Sequence, residues 1–381
     1  MIQSFIVYGL FGILMFILGQ VSSLREKENL AKNKVSQFFT PEIVLMLLVF
    51  SFISGVRWNV GVDHLTYLDN YLSVQNGGFS RFEKEIGFEF ITNLFAKLGI
   101  HFSVYFGFLA FLQLFFILRT FKDQRYLYPF LVIIIIFGTE YLSWMNGIRQ
   151  MLAATMFVFS IQFIQKRQLL KYIITIFIAS LFHKTALILL IFYIIPQKDY
   201  FKNRTFTFLL VIISLILGSM KFWIENLTQL SYLLSFMGYE WYSDNIKMLT
   251  ENEEIRNIGP RRLSMMLAPI IIIWFSPKLK NAFKNTYFLA YYNFTIIGFL
   301  LYNIFANLNH GFIRPITYLT IFIVPASAFL LVYLSRNIEK KRLIFIISLL
   351  IILSYLPLSI VADSGKGKSD YSNYKFYWDN R

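Results

Sequence analysis

The chain has 381 residues, no cysteine and a formal charge of +15, and 57% of its residues are hydrophobic, with a mean hydropathy of +0.57. The missing cysteine excludes disulfides, thiol nucleophiles, haem attachment and Cys-type zinc sites. Apolar runs of bilayer length recur from end to end, which excludes a soluble domain and makes this a polytopic membrane protein. Backbone groups in lipid must be satisfied within the segment and the runs do not alternate, so the fold class is all-α, a helical bundle and not a barrel.

Spans are predicted near 2–24, 41–56, 102–119, 127–144, 148–165, 206–223, 263–277, 287–307, 315–334 and 343–361. The first lacks a basic leader and a small-residue cleavage site, so it reads as a helix and not a signal peptide. With a further broken segment the bundle has about ten to twelve crossings. No internal repeat and no soluble domain stand out, which leaves one transmembrane domain over 1–361 and a polar tail over 362–381. The cations collect in short loops at 25–34, 119–125, 166–171, 198–204, 278–284 and 336–342. That is the pattern of cytoplasmic loops, and it removes the case for a nucleic-acid partner.

If all six loops share one side, "YIITIFIASLFHKTALILLIFYIIP" (172–196) must enter and return. Two crossings need roughly 40 residues, so a re-entrant hairpin or a pair of short helices meeting at "FHKT" is expected. The alternative, with 198–204 outside, makes it one ordinary span and inverts everything downstream. The favoured arrangement puts 57–101, 140–147, 224–262, 308–314, the tail and both termini outside. Within these, 82–100 and 223–254 carry apolar residues at helical spacing and read as interfacial amphipathic helices.

Several arginines fall at the outer helix ends instead of in the basic loops: Arg57, Arg149, Arg261, Arg262 and Arg314. An arginine there is expensive, and a guanidinium fork suits a diphosphate; snorkelling or a structural ion pair is the competing explanation for each. "GVRWNVGVDHLTY" supplies Arg57, Asp63, His64 and Tyr67; Asp63 is either a helix cap paired with Arg57 or a base and sugar-hydroxyl acceptor. "TEYLSWMNGIRQMLAA" places Glu140, Asn146, Arg149 and Gln150 at a break between two apolar runs, with Arg149 at a helix start. His183 sits at the proposed break in 172–196, as acid–base group or as packed core. "NLNHGFIRPITY" adds His310, Arg314 and Tyr318. No P-loop, G-x-S-x-G, H-E-x-x-H or D-x-D pattern is present, which disfavours cytosolic nucleotide-sugar chemistry.

"RWNVGVDHLTY", "EIGFEFITNLFAKLG", "GIRQMLAATMFVFS" and "LFHKTALILL", in that order over about residues 50–195, resemble the EpsG-like branch of the Wzy polysaccharide polymerases. The resemblance implies a GT-C-like, metal-independent glycosyltransferase without cofactor in a bacterial inner membrane. It would join undecaprenyl-diphosphate-linked repeat units, as donor and acceptor, into capsule, exopolysaccharide or O-antigen at the periplasmic face, with a chain-length regulator as a further implied partner. Carried over by position, Arg57, Asp63, Tyr67, Glu85, Arg149, Gln150 and His183 are the matching sites; His64 stands where an aromatic is more usual. Arg149 and Arg314 are read as holding the diphosphate with Arg57 in support, and Asp63 or His183 as the base. Tyr67, Glu85, Glu140, Gln150 and His310 are read as substrate-binding. An O-antigen ligase, a lipid-linked oligosaccharide flippase and a membrane O-acyltransferase are the rival readings.

Overall fold

A computed structural model describes residues 1–35, 37–82, 85–195, 197–220, 259–307, 310–365 and 371–380. The expected amphipathic stretch 223–254 lies outside the described residues, as does the side chain of His310. In chain order the principal helices are α1 (Ile2–Ala31), α2 (Pro41–Gly55), α3 (His64–Gln75), α4 (Ile86–Lys97), α5 (Phe102–Thr120), α6 (Tyr128–Phe137), α7 (Glu140–Asn146) and α8 (Ile148–Gln165). There follow α9 (Leu169–Phe182), a 3-10 segment Lys184–Tyr193, α10 (Arg204–Ser219), α11 (Pro260–Ala282), α12 (Phe288–Phe305), α13 (Ile323–Ser335), α14 (Ile338–Leu353) and α15 (Tyr355–Asp363). Five helical stretches are long and apolar enough to cross a membrane, and up to seven if the bent pairs α6–α7 and α14–α15 each count as one. Of the other expected spans, α2 and α10 are shorter apolar helices, and α8 begins with the polar pair Arg149 and Gln150.

Contacts between loops fix which helix ends lie together. Glu26 accepts from the Arg125 backbone N–H at 2.7 Å, and the Arg125 guanidinium donates to the Gln37 carbonyl at 2.5 Å. Arg336 lies over the rings of Tyr126 and Phe283, Lys280 pairs with Asp199 at 2.8 Å, and Gln165 donates to Gln197 at 2.8 Å. All six basic loops are therefore at one end of the bundle, as the charge pattern predicts.

Residues 169–193 consequently form a hairpin that starts and finishes at that end. The Tyr172 hydroxyl, near the start of α9, donates to the Leu189 carbonyl at 2.5 Å, and its ring meets Tyr193 at 5.4 Å. The 14 residues of α9 rise about 21 Å and the 10-residue 3-10 leg returns about 20 Å, because a 3-10 turn advances further per residue. The inverted alternative for the downstream helices is thereby removed. The reversal falls at His183, whose extended backbone (φ −153°, ψ 112°) ends α9.

At the opposite end α3 and α4 form a small lobe. α4 keeps Phe88, Thr92 and Ala96 inside and leaves Ile86, Phe90, Leu94 and Leu98 exposed in one row, the apolar face that an interfacial helix offers to lipid.

The described part of the polar tail is docked on the bundle. Residues 371–377 are stitched to the outer ends of α1 and α2: Trp58 N–H donates to the Lys375 carbonyl at 2.8 Å, Gly61 N–H to Tyr371 at 3.0 Å, and Tyr377 N–H to Val56 at 3.0 Å. Tyr374 is buried and donates its hydroxyl to the Ile53 carbonyl at 2.6 Å, while Ser4 donates to Asn373 at 3.0 Å. Aromatic burial outweighs the polar composition of the stretch.

Since the chain has no cysteine, the hairpin can be checked by single-cysteine labelling in intact cells. Lys166→Cys and Lys202→Cys should react with an impermeant maleimide from the same side, and Asn76→Cys from the other; labelling of 166 and 202 from opposite sides would mean one ordinary span.

Candidate functional site

The site grows from two polar turns that lock together. Asn146 and Gly147 close α7, and α8 begins directly afterwards with Arg149 as its second residue. The Asn146 side chain accepts the Asp63 backbone N–H at 2.8 Å. Gly61 makes this approach possible: its φ is +91°, and a Cβ there would sit 3.1 Å from the Met145 carbonyl oxygen.

Arg57 is the rivet behind this junction. Its guanidinium donates to the Ser54, Val60 and Met145 carbonyls and lies 5.2 Å from the Phe106 ring centre, and the residue is 1% exposed. It takes no part in lining the cavity described below, so its reading as a diphosphate ligand is replaced by one as a bond between α2 and α7. No ion pair joins it to Asp63 among the described residues, and no side-chain hydrogen bond makes Asp63 a cap for α3. His64 fills an aromatic slot, with Trp58 at 5.9 Å and Phe106 at 5.2 Å between ring centres, and among the described residues neither ring nitrogen has a hydrogen-bond partner. Burial first, and then the neighbouring Arg57, push its pKa well below the usual imidazole value, so it packs as a neutral ring.

Glu85 stands at the N-terminus of α4, but its carboxylate turns away from that helix. One oxygen accepts from the Arg149 Nη1 and the other from His183 Nδ1 at 2.6 Å. Gly87 allows the lobe to dock so closely, since a Cβ there would meet Leu181 at 2.8 Å. Burial works to raise the Glu85 carboxyl pKa, but the His183 hydrogen bond and the Arg149 charge prevail and hold it below the ordinary range. With Glu85 ionised, His183 carries its proton on Nδ1, which leaves Nε2 as the basic nitrogen.

Arg149 is caged as well as paired. Its guanidinium carbon lies 4.0 Å from the Phe82 ring centre and 5.8 Å from those of Tyr67 and Phe88, and Nε donates to the Tyr67 hydroxyl at 3.4 Å. On the far side Gln150 donates to the Arg314 carbonyl, and the Thr185 and Tyr318 hydroxyls share a 3.0 Å hydrogen bond. These hold the "IRPITY" turn against α8 and the hairpin tip.

The result is a cavity of about 440 Å³ lined by Asp63, Tyr67, Asn146, Arg149, Gln150, His183 and Arg314, with Ser143 and Thr317 at its inner side. Residues from four stretches more than a hundred positions apart at the extremes meet there, within the usual size of a ligand site. Six of the sequence-derived candidates line it: Asp63, Tyr67, Arg149, Gln150, His183 and Arg314. Glu85 sits behind, orienting two of them. Glu140 does not line it; its carboxylate accepts from Thr139 at 3.0 Å and the Trp144 indole at 3.1 Å and faces an adjoining space. Arg261 and Arg262 reach Asp363 and Asn307 at 3.4 Å each and are not among the lining residues. Among the described residues no three of His, Asp and Glu converge as metal ligands. Asn146 was visible in the sequence only as a turn residue; its bond to Asp63 gives it a positioning role.

A family model, that of the EpsG family, matches residues 43–376. The chain belongs to the EpsG family. Membership places it among membrane proteins of polysaccharide biosynthesis, and the match runs from α2 into the docked tail, well past the motifs that carry the resemblance in sequence. No curated protein and no solved structure matches the chain.

Two outcomes follow for this EpsG-family site. Glu85→Ala removes the carboxylate that Arg149 and His183 share and should cost about 3 kcal/mol in unfolding of the detergent-solubilised protein. Because the Glu85 pKa is lowered from 4.5, its contribution is complete above that pH and is lost as pH falls through the lowered value; Glu85→Gln should lack this acid-side loss, and an unchanged pH profile in it would remove Glu85 from the cluster. His64→Phe removes two unpartnered buried nitrogens and should stabilise by about 1 kcal/mol in the same measurement, whereas a loss would mean that the nitrogens are bonded.

Proposed function

We propose that this protein polymerises polyprenyl-diphosphate-linked oligosaccharide repeat units by metal-independent glycosyl transfer. The observation that carries the reading is Arg149, fixed by Glu85 and three aromatic rings at the wall of a cavity shared with Arg314 and His183. The cationic loops gathered at the opposite end support a cavity that faces the periplasmic or outer side of a bacterial inner membrane, where this reading has lipid-linked repeat units presented.

In this reading a hydroxyl of the incoming unit attacks the anomeric carbon of the donor, the carbon–oxygen bond to the diphosphate breaks, and the lipid diphosphate leaves with the bonding electrons. Charge builds on the departing oxygen, and preorganised guanidinium groups at Arg149 and Arg314 stabilise it. His183 Nε2, oriented through Nδ1 by Glu85, accepts the hydroxyl proton. Asp63, at the rim, accepts a hydrogen bond from a sugar hydroxyl, and Tyr67 and Gln150 complete the wall.

Arg149→Ala should abolish long-chain polymer while single repeat units are still made and exported, as seen by glycan size on gels. Arg149→Lys keeps the charge but not the fork and should lower polymer output about tenfold or more. Normal long chains from Arg149→Ala would overturn the reading. The same gels separate the rivals: loss of a ligase leaves polymer on its carrier, and loss of a flippase leaves neither form outside.

A further inference from the structure

The charged cavity has a neighbour of about 270 Å³ that shares Ser143, Ile313 and Thr317 with it. From that common wall it runs toward the basic end, past Val324 and Ser327 on one side and back to Ile134 on the other. Two bends and a helix-internal proline meet on it. The 61° bend between α6 and α7 falls at Gly138 and Thr139, the 43° bend between α14 and α15 falls beside Ile352 and Tyr355, and Pro269, which lacks an N–H to donate, lies within the continuous α11. Within a membrane, broken helices are tolerated where the freed backbone is buried in protein or lines a cavity, and such breaks mark ligand sites in other membrane folds.

The two compartments differ in charge. Among the described residues, no lysine or arginine lines the inner one, and Glu140 is its single carboxyl. That carboxyl stands near the shared wall and is held by neutral donors alone, Thr139 and Trp144. Beyond it the wall turns apolar, with Ile134, Phe299, Ile323, Val324 and Ile352. A phosphate would find no counter-charge there.

We propose that the inner compartment receives the first isoprene units of the polyprenyl diphosphate whose head lies at Arg149 and Arg314, an assignment that rests on the glycosyl-transfer reading. The argument is continuity and polarity: one amphiphile fits a cationic chamber that opens into an uncharged, largely apolar one.

The test is binding by the full-length, detergent-purified protein, with undecaprenyl diphosphate and geranyl diphosphate as probes. Ser327→Leu extends into the inner end of the cavity and replaces a buried hydroxyl that has no partner among the described residues, and unchanged geranyl diphosphate binding checks that the variant is folded. It should weaken undecaprenyl diphosphate about tenfold and leave geranyl diphosphate about unchanged, whereas Arg149→Ala should weaken both. A photoreactive prenyl diphosphate should also label the peptide containing Val324 and Ser327 in the wild type. Equal effects of Ser327→Leu on both probes, or none on either, would overturn the assignment while leaving the arginine site standing. So would weakened binding of a lipid-free repeat-unit oligosaccharide with lipid binding intact, which would make the compartment the acceptor's. Failure of the wild type to bind either probe would bring down the glycosyl-transfer reading with it.

Discussion

Glu85 gives one carboxylate oxygen to Arg149 and the other to His183, partners that lie 64 and 98 positions away along the chain. The outer end of the bundle is organised around this junction, because it ties the α3–α4 lobe, the start of α8 and the tip of the hairpin to one another. A buried carboxylate is tolerable only when its lone pairs are used, and a buried guanidinium only when its charge is opposed. Each group therefore constrains the others. The lobe cannot lift without uncovering Arg149, and the hairpin cannot shorten without withdrawing His183.

The hairpin shows how an arithmetic constraint in the sequence becomes geometry. Residues 172–196 are too few for two crossings and are flanked by cationic loops, so a turn inside the protein is forced, and only "FHKT" offers polar groups for it. What the sequence does not reveal is that the return leg is a 3-10 helix, since nothing in "KTALILLIFY" distinguishes i+3 from i+4 bonding. The need to match α9 in length with fewer residues decides it.

Arg57 illustrates the opposite case. An arginine at the end of an apolar helix looks the same in sequence whether it faces a ligand or the carbonyls of a neighbouring turn; the distinction lies in Met145, 88 positions away. Glu140, one residue class and one turn from the site, faces a different space because α7 bends by 61° from α6. Arg149 and His183 were legible because each falls at a break between apolar runs, where a polar side chain has somewhere to go. The docking of the tail was not legible, because the buried anchor Tyr374 stands among polar residues and finds its partner at Ile53, 321 positions away.

That tail also bears on the order of assembly. The backbone of Trp58 and Gly61, and the side chains of Ser4 and Tyr8, find partners in residues 371–375, which leave the ribosome after every span has been made. Until then the outer ends of α1 and α2 present unsatisfied donors beside the turn that carries Asp63. The first helices are thus finished only after α15 has been made, and a molecule without residues 371–375 would hold its hairpin and its arginines but not the rigid rim against which a substrate is positioned.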